Sequence, residues 1–209
     1  MVDVRLLRDA AIAESNNGFN VHDELKTLTV EELKNVTQAS LKNFEVLCLN
    51  VLGDLNISTI IRSSHLFGAR KVHVFGRRRT DNRGLVGAQN YTQVDRVQGL
   101  LEDGVTIDPD AFWRYVDQER LYPVFVEQGG TNVYEFDWNE SLLDANSLGR
   151  TMCLIMGTEN SGIPQSILKD VDMVDQAVSI PQTGVIRSHN VSMAFAVVCG
   201  QMVSALKWY

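Results

Sequence analysis

The sequence predicts an α/β fold, a mostly parallel sheet with helices on both faces, from three kinds of pattern. Strand-like apolar runs alternate with helix-period segments from Phe44 to the end of the chain, which is the pattern of βαβ units. The runs FEVLCLNVL and TMCLIMG are apolar at successive positions rather than alternate ones, as suits strands covered on both sides. Polar, glycine-bearing segments follow the strands, where open α/β sheets bind their ligands.

Taken in order, residues 1–43 form an accessory helical segment. Met1 to Phe19 holds a short helix (Val4, Leu7, Ala11) ending in the turn SNNG, and TVEELKNVTQASLKNF is a second helix opened by Thr29 with acids in its first turn. The α/β unit spans 44–209, and its first strand is FEVLCLNVL. A helix follows with Asn56 as its N-cap, Ile57, Ile60, Ile61 and Phe67 on one face, and Gly68 as its stop. Arg62 falls off that apolar stripe, which suits either a solvated surface arginine or a cation held at the mouth of a strand-to-helix crevice. Beyond the strand KVHVFG and a basic loop, DPDAFWRYVDQERL forms a helix, and YPVFVEQGG a strand ending in a glycine turn. TMCLIMG then runs into TENSGIPQSIL, where Gly157 and Gly162 allow close backbone approach and Pro164 opens a helix.

The chain is organised around its last stretch, which on its own also reads as an ordinary capped core helix. Val178, Ile180 and Pro181 end a strand, Gln182 to Arg187 form a loop, and Ser188 or Asn190 caps a final helix. Its stripe of Val191, Ala194, Phe195, Val198, Met202 and Ala205 is flanked by further apolar residues, so the helix is buried on most sides. A capped helix start beside Arg187 is suited to an anion or a polar cofactor. Trp208 and Tyr209 at the helix's end read as aromatic anchors for a homodimer.

Composition narrows the possibilities. At 209 residues, 44% hydrophobic and 22% charged, the chain suits one sizeable core. No apolar run reaches membrane-span length, and Arg5, Arg8, Asp9 and Glu14 interrupt the first residues, so the expectation is a cytoplasmic protein with no membrane partner. Cys48, Cys153 and Cys199 form no CxxC pair and the histidines lack ligand spacing, which indicates neither disulfides nor a metal. Net charge is −7, yet Arg62 to Arg96 holds eight basic residues against two acidic ones. A basic loop on an acidic body suits either a directional site for a polyanion or a solvated arginine-rich turn. Dinucleotide, P-loop and nucleophile-elbow motifs are all missing.

Three segments, NISTIIR (Asn56 to Arg62), MGTENSGIP (Met156 to Pro164) and IPQTGVIRSHNVSMA (Ile180 to Ala194), resemble in order and spacing the three motifs of the SPOUT superfamily of RNA methyltransferases. The likeness is to the TrmH-like ribose 2′-O-methyltransferases. The resemblance implies a C-terminal trefoil knot, an S-adenosylmethionine (SAM) site built from the knotted loops, and a homodimer. It places Gly157, Ile180, His189 and Glu127 at the cofactor, with Gly157 bare so that the cofactor lies against backbone. It makes Arg62 the catalytic arginine, supported by Asn56 and Glu159, with Ser188 and Asn190 completing the pocket. A guanidinium stays protonated, so Arg62 would anchor a substrate phosphate and stabilise the alkoxide. Arg77, Arg78, Arg79, Arg83 and Arg187 would contact RNA. His189 departs from the leucine usual at its position, and a backbone contact to SAM survives that change. IPQTGVIRS is closer to the tRNA-modifying branch than to the rRNA one, and rRNA remains the alternative substrate. A non-catalytic RNA-binding homologue is the rival that His189 and the acidic charge favour, and retention of Asn56, Arg62, Glu159, Ser188 and Asn190 opposes it. Methylation of a base nitrogen is disfavoured by the arginine of the first motif.

Overall fold

The computed structural model describes residues 20–51, 53–76, 82–159 and 161–209. The expected short helix near the N-terminus and the arginines Arg77, Arg78 and Arg79 lie outside these residues. The helix α1 (Val30–Ser40) opens as its sequence predicts: Thr29 accepts the Glu32 amide and Glu32 reaches back to the Thr29 amide, a reciprocal cap.

A parallel sheet of six strands forms the centre, in the order β3-β2-β1-β5-β4-β6. The strands are β1 (Phe44–Leu49), β2 (Lys71–Phe75), β3 (Gln93–Val97), β4 (Leu121–Asn132), β5 (Thr151–Met156) and β6 (Ala177–Ser179). Every residue of β1 is buried, because both faces are covered. Phe44, Val46 and Cys48 face one core with Met152 and Leu154, whereas Leu47 and Leu49 face the other with Cys153 and Ile155. The helices α2 (Asp54–Leu66), α5 (Trp138–Ser147) and α7 (Val191–Ala205) cover the first face, and α4 (Pro109–Gln118) the second, with the short α6 (Gln165–Leu168). Crossovers that step toward β3 put their helices on one face and those that step toward β6 on the other, as a single crossover hand requires.

Several elements differ from expectation. The basic stretch contains a strand, β3, and a short helix, α3 (Asn82–Leu85), that packs on α2. Lys71 is neutralised between Asp95 and Glu119, at 3.1 and 2.9 Å, so the local positive charge is smaller than the sequence count. Instead of ending in a turn at Gly129 and Gly130, β4 continues to Asn132 through an irregularity. Trp208 stacks on Phe44 of its own chain at 5.7 Å, while Tyr209 stays exposed; only Tyr209 is left as an outward anchor. Between β2 and α4, the buried His73 ring is held by Glu45 and Tyr115, each at 2.7 Å, which satisfies both nitrogens.

β1 is followed by β2 on one side and lies against β5 on the other. Connections therefore leave the carboxyl ends of β1 and β5 in opposite directions, and a crevice opens there.

Candidate active site

The start of α2 corrects the expected cap. The helix begins at Asp54 with Gly53 as its N-cap, and Gly53 has no side chain to close it. Glu159, from the loop after β5, does so instead: its two carboxylate oxygens accept the Gly53 amide at 3.0 and 2.9 Å. A carboxylate there meets unpaired N–H groups and the positive end of the helix. Asn56, one turn into the helix, is released from capping and donates its side-chain amide to Glu159.

The other end of the Asn56 amide accepts from Asn190 at 3.1 Å. Asn190 in turn caps α7, its oxygen accepting the Ser192 amide at 2.9 Å and the Ser192 hydroxyl at 2.7 Å. Of the two caps the sequence allows, Asn190 is the one used. One chain of donors thus runs from α7 through Asn190 and Asn56 to Glu159, and it fixes both amide orientations, because a carboxylate only accepts.

These residues sit on a cavity of about 540 Å³ at the crevice. Asn56, Glu159, Ser188 and Asn190 line it, as do Glu127, Gly157, Ile180, Arg187 and His189. The bareness of Gly157 has a cause within the protein itself. A Cβ there would meet Gly162 backbone at 2.6 Å and the Ile163 nitrogen at 2.8 Å, so the missing side chain makes room for the loop's own return. Glu127 turns toward that loop and accepts the Ile163 amide at 2.7 Å.

Arg62 is elsewhere. Six positions after Asn56, it lies about 120° away around the helix and about 9 Å along it. It lines a separate cleft of about 310 Å³ with Leu33, His65 and Tyr91, and no hydrogen bond or ion pair joins it to another described residue. Its expected support by Asn56 and Glu159 is therefore absent within one chain: those two hold each other. Burial in the cleft lowers the His65 pKa. Arg83 is exposed on α3, outside the cavity.

Sequence reasoning missed Gln128 and Ser192. Gln128 follows Glu127 on a strand, where alternation would turn it away; Ser192 reads as helix interior. Other reactive groups are engaged or suppressed. Burial raises the thiol pKa of Cys48 to about 12 and raises those of Cys153 and Cys199 well above the ordinary value. His73, Asp95 and Glu119 bring donor atoms within 4.8 Å of one another, but His73 is doubly bonded and the Lys71 ammonium already bridges the two carboxylates.

Known proteins share this fold. The tRNA (guanosine(18)-2′-O)-methyltransferase of Escherichia coli (strain K12) is 26% identical over 153 residues, which cover 68% of this chain and 55% of that protein. The chain thus spans about half the length of that relative. Among solved structures, the A. aeolicus TrmH/SpoU tRNA modifying enzyme superposes with a TM-score of 0.64 at 17% identity, covering 86% of this chain and 85% of that one. The SpoU methyltransferase AviRb from Streptomyces viridochromogenes, solved in complex with AdoMet, gives 0.59 at 22% identity, covering 78% and 57%. Likeness at these identities shows the fold. Residues 43–200, most of the chain and all of the cavity's walls, match the SpoU rRNA Methylase family, and the chain belongs to that family.

Proposed function

We propose that the chain is a SAM-dependent RNA methyltransferase that modifies a ribose 2′-hydroxyl, with tRNA as substrate. The observation that carries this reading is the chain of hydrogen bonds from Glu159 through Asn56 to Asn190, which ties three distant segments to one cavity at the sheet's switch point. Family membership supports the reaction, and the name of the E. coli relative supports tRNA and the ribose hydroxyl.

The residues present fit SAM. The cavity is of the size of small-molecule sites, about 300–1,000 Å³. Met156, Val178, Ile180 and Ala194 offer an apolar wall for a flat heterocycle, and Thr158, Gln182 and the backbone at Gly157 and His189 offer polar groups beside it. When bound, SAM supplies a methyl group already activated on a sulfonium. The chain's work is then to position and to stabilise. Ser188 and Asn190, at the cavity's exposed rim, orient the ribose. Glu159 spends its oxygens on Gly53 and Asn56, so it acts as a support for the pocket and not as a base. Arg187 lines the cavity and meets the RNA there, and the charge of Arg77, Arg78, Arg79 and Arg83 suits them to RNA phosphates as well.

Arg62 faces away from its own cavity. In a homodimer it is offered to the site of a second copy, where it anchors a phosphate and stabilises the developing alkoxide while remaining protonated. The proposal includes a trefoil knot, supported by the route of the chain: β6 lies at the sheet's edge beside β4, yet α7 returns over β1 and β5 to bind α2. It also treats 1–43 as accessory and 44–209 as the methyltransferase unit, in keeping with a family match that begins at residue 43. Mass spectrometry of nucleosides from tRNA and rRNA, before and after incubation with protein and SAM, tests the reading. A new 2′-O-methylnucleoside in tRNA is expected; RNA binding without any modification would favour a non-catalytic role.

A further inference from the structure

β4 breaks the alternation of a strand where it meets the cavity. Val126 and Thr131 both stand opposite Val178 of β6, so Glu127 to Gly130 leave the ladder. Gly129 takes a left-handed φ of +88°, and a Cβ on Gly130 would lie 2.5 Å from the Ala177 carbonyl carbon; only glycine permits this path. As a result Glu127 and Gln128, neighbours in sequence, both face the cavity. They grip different walls. Glu127 holds the 157–163 loop through the Ile163 amide at 2.7 Å. Gln128 donates its Nε2 to the Arg187 carbonyl at 2.6 Å, and since a carbonyl only accepts, the amide nitrogen must be the end that points there.

The segment Gln128 holds lies open to solvent, and Asn190 fixes its far end through Asn56 and Ser192. Every residue from Pro181 to Asn190 is exposed, including the apolar pair Val185 and Ile186, yet the segment supplies much of the cavity's rim, from Gln182 to Asn190.

We propose that Gln128 is a positioning residue: from the irregular strand it latches the 181–190 loop against the cavity, so that the loop is set in place before the cofactor arrives. The functional half of this inference rests on the SAM reading above; the structural half does not.

Two measurements on full-length Gln128→Ala and Gln128→Lys test it, with lysine chosen as a long donor that can reach the same carbonyl. Cleavage after Arg187 by an arginine-specific protease, followed by mass spectrometry without ligand, reports the loop. SAM affinity by calorimetry, with kcat at saturating SAM, reports the site. Gln128→Ala is expected to speed cleavage after Arg187 and to weaken SAM binding, each by roughly fivefold, the weight of one hydrogen bond. Its kcat and unfolding midpoint should hold, and Gln128→Lys should restore both losses. Wild-type cleavage and affinity in Gln128→Ala would overturn the latch, as would a loss of affinity that lysine does not rescue. A wild-type protein that binds no SAM would instead remove the cofactor reading, and the cleavage comparison would still decide the latch.

Discussion

Glu159 closes α2 in place of a local side chain, and the unpaired N–H groups of a helix's first turn favour its negative charge. Glu159→Gln keeps the shape and removes that charge. It should lower unfolding stability by about 1 kcal/mol, read from the denaturant midpoint, and cut methyl transfer by about tenfold, because Asn56 loses an ionised acceptor. An unchanged midpoint would mean that the charge is not what closes the helix. Arg62→Ala tests the proposed role of Arg62 at the cavity of a second copy. It should abolish methyl transfer and leave the SAM Kd within about twofold, since transition-state contacts act on rate; a radiolabel assay with calorimetry checks this, and normal turnover would strike Arg62 from the mechanism. Asn56, Glu159, Ser188 and Asn190 were legible as motif residues. What the spacing could not convey is which groups they touch: the Asn56 to Glu159 contact joins positions 103 apart, so a residue that looked like a local cap proved to be a bridge.

Among elements, β1, β5 and α7 were legible because nearly continuous apolar runs have few other solutions. β3 was not: QVDRV is short, half polar and at the sheet's edge, so its sequence lacks the burial signal that marks the central strands. α5 was missed for a similar reason: in ten residues it buries Trp138, Ser141 and Ala145 while Leu143 is exposed, so its apolar residues mark no clear stripe. The glycine pair of β4 read as a turn because glycine marks a turn and a bulge alike. α7 is secured beyond its own length by the stacking of Trp208 on Phe44. Trp208→Ala should therefore cost about 2 kcal/mol, measured as a shift in urea midpoint. A negligible shift would show that the terminal turn contributes nothing to the packing of the first face.

For the whole molecule, the layered α/β architecture followed from the alternation of runs, whereas the strand order did not, because β5 joins β1 only through contacts far apart in sequence. A homodimer should appear in light scattering at micromolar concentration as a particle of twice the chain mass; a monomer would leave Arg62 with no cavity to serve. Replacing Arg77, Arg78 and Arg79 together with glutamine should flatten the slope of log affinity for RNA against log salt by about 2, as fewer counterions are released. An unchanged slope would place those arginines away from the phosphates. The hydrogen bond between Asn190 and Asn56 spans 134 positions, and this bears on how the protein comes into being. A pocket closed by the last helix cannot exist while that helix is still being synthesised, and pairings of such long range form late and slowly. A nascent chain already carrying β1, α2 and β5 would have an open crevice and lack the Asn190 donor to Asn56. The cavity's last wall and its Asn190 donor are thus supplied together, when α7 docks on α2.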